Sequence, residues 1–340
     1  MATSAEADGD ALSAPVLHDA FGRQINYARL SLTDRCNFRC IYCMPHQGTS
    51  FIPHGNILSY EELLRLCAIM ARLGITRYKI TGGEPLCRKD AVYFIRNLAK
   101  IPGIEDMTIT TNGTLVAPVL DELAAIGLRS ITFSLDAFLQ KTLVDIARVK
   151  TSLKEILAAI DKAAALGMQV KLNVVPIKGY NDSELADLAA YALDRGFHIR
   201  FIELMPIGQG KKLTGIPQNE LFQLMGQKFG PLKKVGHRTG NGPATVYSVE
   251  GYSGFIGFIA ALSARFCGHC NRVRLVSTGF LKTCLCHEAG VDLRTPLRAG
   301  GTDGELTRII REAVRNKPKG HTFFLNSPEE RLFNMNSVGG

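Results

Sequence analysis

Apolar positions along the chain alternate between two rhythms. Short β-branched and aliphatic runs at Tyr27–Leu32, Arg77–Thr81, Met107–Thr111, Ser130–Ser134, Gln169–Val175 and Ile199–Glu203 have the length and composition of strands. Between them the spacing turns helical. Leu63, Leu66, Cys67 and Met70 fall at i, i+3, i+4 and i+7, on a helix opened by a Ser59/Glu62 capping box and ended at Gly74. Leu153, Ile156, Leu157 and Ile160 repeat that face in a helix closing near Gly167. Further helices are predicted at Asp90–Lys100, Val116–Ile126, Ser183–Arg195 and Pro217–Phe229.

Six βα units in series imply parallel strands joined by right-handed crossovers. Six is short of the eight of a closed barrel. The expected fold is therefore α/β, an incomplete, three-quarter TIM-type barrel with its opening covered by something else. A doubly wound sheet is the alternative, but no glycine fingerprint at the first strand–helix turn favours it. Gly230–Pro243 reads as a linker or mobile loop. Residues 244–290 are β-rich, with Arg272–Val276 and Phe280–Thr283 as a hairpin, and one more helix spans Asp303–Asn316. The expected organisation is a disordered tail over 1–20, a barrel over 21–229 and a C-terminal β-rich extension over 230–340.

The 340 residues are 46% hydrophobic, which excludes disorder throughout, a collagen-like repeat and a small disulfide scaffold. The longest weakly polar run, Gly254–Ala264, is too short to span a bilayer. Met1–Ala20 holds four acidic residues and no Lys or Arg, unlike a targeting signal. A soluble cytoplasmic protein without membrane contact is expected. The net charge of +9 suggests an anionic partner and leaves nucleic acid, a polyphosphate or merely a basic surface open. Nine cysteines in such a chain should be reduced, so clustered ones point to metal or catalysis.

The first cluster follows the first strand: Cys36, Cys40 and Cys43 in C-x3-C-x2-C spacing. Three thiolates on one loop hold three corners of a cubane iron–sulfur cluster and leave the fourth iron open. Zinc would need a fourth ligand such as His46. After the second strand stands Thr81-Gly82-Gly83-Glu84-Pro85, where glycines permit close backbone approach and Glu84 is placed to accept from an ammonium group. Thr110, Thr111, Asn112, Ser134, Asp136, Asn173, Glu203 and Met205 lie at later strand ends, the functional face of such barrels. A second set, Cys267, Cys270 and Cys284, has C-x2-C-x13-C spacing, which also suits zinc with His269, Cys286 or His287.

The first motif, with an aromatic before its third cysteine, resembles that of the radical S-adenosylmethionine (SAM) enzymes. Both cysteine sets, Cys270-Asn-Arg-Val-Arg274 and the terminal Gly339-Gly340 together resemble the molybdenum-cofactor GTP 3',8-cyclase family from about Phe21 to the end. The resemblance implies two [4Fe-4S] clusters and SAM. The first cluster would cleave SAM, with Tyr42, Gly83, Glu84, Ser134 and Met205 around the cofactor. The resulting radical would take hydrogen from ribose C3', and the second cluster would face guanine. Arg29, Lys79, Thr110, Lys171, Arg200, Arg272, Val273 and Arg274 match GTP-binding positions. Arg272, Arg274, Gly339 and Gly340 would serve catalysis. The implied product is (8S)-3',8-cyclo-7,8-dihydroguanosine 5'-triphosphate. Implied partners are GTP, an electron donor, cyclic pyranopterin monophosphate synthase as the next enzyme and a second copy in a homodimer, with no nucleic acid.

Three departures stand out. Cys286 is an extra cysteine, expected to point away from Cys284 by strand alternation. Lys79 stands where arginine is common, keeping charge but losing a fork. The stretch 136–150 lacks a glycine expected near its end. Cys67 and Cys87 read as packing residues. A peptide-modifying radical enzyme and a zinc-dependent nucleic-acid-binding protein are the competing readings.

Overall fold

A computed structural model describes residues 16–236, 240–264, 266–323 and 335–339. Six strands follow in order, β1 (Tyr27–Ser31), β2 (Arg77–Thr81), β3 (Asp106–Thr111), β4 (Ser130–Ser134), β5 (Gln169–Val174) and β6 (His198–Ile202). Each pairs with the next in parallel. Helices α1 (Tyr60–Arg72), α2 (Ala91–Leu98), α3 (Leu120–Ala125), α4 (Gln140–Ala147), α5 (Leu153–Ala165) and α6 (Leu185–Asp194) lie between them, and α7 (Gln218–Phe229) follows β6. The Ser59/Glu62 capping box forms at the start of α1, and Leu63, Leu66, Cys67 and Met70 make its buried face.

The C-terminal part does more than cover an opening. After the short β7 (Lys233–Lys234) and β8 (Thr245–Ser248), strand β9 (Phe255–Ile259) joins β6 in parallel. Strand β10 (Arg272–Leu275) joins β1 in parallel, followed by antiparallel β11 (Phe280–Lys282) and β12 (Gly290–Asp292). The sheet order is β12-β11-β10-β1-β2-β3-β4-β5-β6-β9-β8-β7. A parallel run of six becomes one of eight, because each edge of the partial barrel accepts a strand from the extension. Unsatisfied edge N–H and C=O groups are thereby paired. Helices α8 (Arg294–Arg298), α9 (Asp303–Arg315) and α10 (Met335–Val338) complete the chain.

Parallel register sorts side chains by face. Leu30, Ile80, Ile109, Ile131, Leu172 and Ile199 are buried in the core, whereas Arg274, Arg29 and Lys79 are direct register partners on the other face. Val273, paired with Ala28 and 1% exposed, packs with the core set and also borders one of the chambers described below.

Two expectations change. Residues 16–20 are structured: Leu17 and Asp19 are buried, and Asp19 pairs with Arg23 at 2.5 Å. Residues 1–15 lie outside the described part. The expected linker 230–243 contains β7, and its end lines the interior described next.

Candidate active site

The SAM-motif loop leaves β1 and runs across the β2 turn. Gly83 N–H donates to Thr33 O at 2.7 Å and Glu84 N–H to Arg35 O at 2.8 Å. A Cβ on Gly83 would sit 2.3 Å from Arg35 O, so the glycine is required by the cysteine loop itself. Cys36, Cys40 and Cys43 line one chamber of about 130 Å³ with Gly83, Thr110 and Ser134. Burial, with smaller contributions from neighbouring acidic and thiol groups, pushes Cys36 and Cys43 up to about 12 and Cys40 in the same direction. The main-chain N–H of Asn336, in the C-terminal tail, hydrogen-bonds Cys43 and opposes this.

Glu84 lines the same chamber and is already engaged by three donors. Its Oε1 accepts from Thr111 Oγ1 at 3.0 Å and Leu86 N–H at 3.2 Å, and its Oε2 from Asn112 N–H at 2.7 Å. Burial lifts its pKa to about 7 despite these donors. It braces the ends of β2 and β3. Tyr42 donates to Asp136 Oδ2 at 2.7 Å, while Asp136 Oδ1 accepts from Val175 N–H at 2.8 Å. This ties the cysteine loop to the ends of β4 and β5. Cys67 is fully buried as expected; Cys87 is instead half-buried, with its sulfur 3.9 Å from Asn37 Oδ1.

The second trio borders another chamber. Cys267, Cys270 and Cys284 line about 90 Å³ together with Arg272, Lys282, Lys317 and His321. Burial raises the Cys270 thiol, but the Arg272 and Lys317 cations outweigh it and bring the pKa down to about 7. Sequence reasoning missed Lys317. It is buried, and its Nζ donates to Arg272 O at 2.9 Å and to Thr283 O, joining the segments that carry Cys270 and Cys284. Arg23 was missed too: it donates to Cys267 O at 2.8 Å and to the carbonyls of Pro318 and Lys319. Only a fold that closes N-terminus on C-terminus gives these residues meaning.

Cys286 does not point away. Thr283 N–H donates to Ala289 O across a bend, so strand alternation fails, and Cys286 lines the same chamber as Cys284. Its sulfur accepts from Thr322 N–H at 3.4 Å. His269 is exposed, and His287 Nε2 lies 3.0 Å from Gly320 O. No three thiol, imidazole or carboxylate groups among the described residues converge on a single-ion site. Thiols that rim a chamber without converging on one point fit the spread corners of an iron–sulfur cluster better than a tetrahedral zinc.

Between the chambers lies a cavity of about 440 Å³. Arg29, Lys79, Lys171, Arg200, Arg272 and Arg274 all line it. Burial and mutual repulsion lower Lys79 well below its usual value, Lys171 to about 8 and Arg200 to about 10. The three acids of the wall accept hydrogen bonds from other groups, although the Asp106 charge still raises Lys79 and Lys171. Asp136 holds Tyr42 and Val175, Glu203 accepts from Leu262 and Ser263 N–H, and Asp106 accepts from Asn241. None of the six cations forms an ion pair among the described residues. Arg29 Nε, Thr110 Oγ1, Asn173 Oδ1 and Arg200 Nε are buried without a hydrogen-bond partner. Such an arrangement is costly unless an anionic, polar ligand fills it.

Met205 borders this cavity and the second chamber, and Ser134 borders it and the first. Gly339 reaches the interior, its carbonyl accepting from Arg274 Nη1 at 2.5 Å; Gly340 lies outside the described residues.

Comparison with known proteins agrees with this geometry. Residues 30–192 match the Radical SAM superfamily and residues 197–323 match Molybdenum Cofactor Synthesis C. A GTP 3',8-cyclase of Desulforamulus reducens is 42% identical over 326 residues, covering 95% of this chain and 99% of the relative. The chain belongs to the GTP 3',8-cyclase family. The cyclase of Clostridium perfringens is 39% identical over 324 residues, 95% of this chain and 100% of its own. Among solved structures, Streptococcus suis SuiB bound to S-adenosylmethionine shares the fold, with a TM-score of 0.61 at 12% identity over 91% of this chain and 77% of that one. Membership in the family brings with it an N-terminal [4Fe-4S] cluster, SAM and a second cluster.

Proposed function

We propose that the chain converts GTP to 3',8-cyclo-GTP, with residues 21–229 as the SAM-cleaving barrel and 230–340 as the extension that holds the second cluster. The observation that carries this reading is the cavity between two thiol-rimmed chambers, lined by six cations with no ion pair among the described residues. A triphosphate bears the charge those cations need, and arginine forks suit its oxygens.

When bound, the reduced N-terminal cluster and SAM supply a carbon-centred radical. The protein's own residues orient the reaction. Tyr42 and Asp136 hold the cysteine loop at the cavity mouth, Ser134 bridges the first chamber and the central cavity, and Arg272 and Arg274 bridge the central cavity and the second chamber. A ligand spanning the cavity is thus fixed at both ends. Holding reactants in one geometry is itself worth several orders of magnitude in rate.

The electron donor, the pterin-forming enzyme that consumes the product, and a homodimeric assembly belong to this same reading. No helix among the described residues is long and apolar enough to cross a membrane. Anaerobically purified protein incubated with GTP, SAM and dithionite should yield a cyclised nucleotide and 5'-deoxyadenosine by mass spectrometry. Formation of 5'-deoxyadenosine with a peptide substrate and none with GTP would favour a peptide-modifying enzyme.

A further inference from the structure

One turn of the cavity wall has no role in the account above. Asp106, Ser130, Gln169 and His198 are the first residues of β3, β4, β5 and β6, so they mark the end of the barrel opposite the SAM-motif loop. Gly240, Asn241, Gly242 and Pro243 line the central cavity beside them. The same turn also borders an adjoining chamber of about 420 Å³ that contains Lys171, His198, Arg200 and Lys234.

Three observations give this turn a purpose. Its backbone passes close to two cation heads: a Cβ on Gly240 would stand 3.0 Å from Lys171 Nζ, and one on Gly242 3.8 Å from Arg200 Nη1. It is anchored across the fold, since Asn241 Nδ2 donates to Asp106 Oδ2 at 2.5 Å over 135 residues of sequence. And no bond within the described residues uses the main-chain N–H groups of Gly240, Asn241 or Gly242. Arg200 Nε, buried beside the turn, also has no partner. Successive free N–H groups on glycine-rich backbone are suited to phosphate oxygens, because no Cβ keeps the anion away.

We propose that Gly240-Asn241-Gly242 clasps the terminal phosphates of the bound nucleoside triphosphate, and that the Asn241–Asp106 bond holds the clasp against Lys171 and Arg200. Asn241 is a positioning residue, acting through the backbone it anchors. This inference rests on the reading of GTP as substrate and adds a phosphate site outside the matched positions.

Equilibrium binding of GTP and of guanosine to the anaerobically purified, cluster-loaded full chain tests it. Asn241→Ala should weaken GTP on the order of tenfold, the size of one lost hydrogen-bonded anchor, and leave guanosine unchanged. Unchanged GTP binding by Asn241→Ala, or an equal loss for guanosine, would overturn the clasp. A wild-type protein that binds no GTP at all would instead overturn the substrate reading on which the clasp depends.

Discussion

Arg274 donates through Nη1 to the main-chain oxygen of Gly339 at 2.5 Å, so a strand of the sheet and the C-terminal tail meet inside the barrel. Gly339 adopts φ +75°, and a Cβ there would lie 2.3 Å from Thr81 Oγ1. Both the left-handed backbone and the contact demand glycine. Gly339→Ala should displace the tail and lower the yield of cyclised nucleotide at least about tenfold, a loss of ~1.4 kcal/mol of transition-state stabilisation. Iron content should be unaltered. Full cyclisation by this variant, measured by mass spectrometry, would remove the tail from the mechanism.

Gly83 is held to a different requirement. Its Cβ would collide with the Arg35 main chain, which is not a flexible neighbour. Gly83→Ala should lose about half the bound iron, roughly four of eight atoms if two cubanes are present, because the N-terminal thiols are pushed apart. Gly226→Ala, whose Cβ meets nothing within 4 Å, is the control and should keep all of it. Iron analysis and electron paramagnetic resonance distinguish the two clusters.

His198 makes the fold sensitive to acid. Burial, then the Lys171 and Arg200 charges, lower its pKa from 6.5 to about 4. The native state keeps the imidazole neutral while the unfolded chain takes up a proton as pH falls below 6.5. Its contribution to stability is thus complete above 6.5 and is lost as pH falls from there toward 4. In chemical denaturation, wild type should lose more stability across this interval than His198→Gln. Parallel pH profiles for the two proteins would contradict it.

Arg148 occupies the place where the 136–150 stretch lacks a glycine. It ends α4 with φ +54°, its N–H donating to Val144 O. A left-handed residue with a Cβ costs ~1–2 kcal/mol, partly offset by the extra freedom glycine has when unfolded. Arg148→Gly should therefore stabilise the protein by about 0.5–1 kcal/mol, seen as a higher urea midpoint with iron content unchanged. A lower midpoint would show that the Arg148 side chain makes a contribution larger than its backbone strain.

Much of this is legible in the sequence. The six βα units follow from apolar spacing, and Ser59, Glu62 and the face they open appear as expected. The cysteine trios were readable because ligand spacing within one loop is local. The bracing role of Glu84 was not legible because its donors Thr111 and Asn112 come from a distant segment. Cys286 was misread because alternation holds only where the backbone is extended, and the chain bends between Thr283 and Ala289. Arg23 and Lys317 carried no signal at all, since an isolated cation in sequence looks like surface charge.

By itself the sequence determined the partial barrel, the two thiol trios and the excess of positive charge, since periodicity, motif spacing and composition are properties of neighbours along the chain. The tertiary structure alone decided where that charge goes. It brought Arg29, Lys79, Lys171, Arg200, Arg272 and Arg274 onto one cavity wall while the nearby acids accept hydrogen bonds from other groups. Strands β9 and β10 made this possible by joining opposite edges of the barrel. Parallel register then turns every second residue of distant segments to the same face. Buried like charges repel unless an anion joins them, so the fold that gathers them also defines the ligand they require.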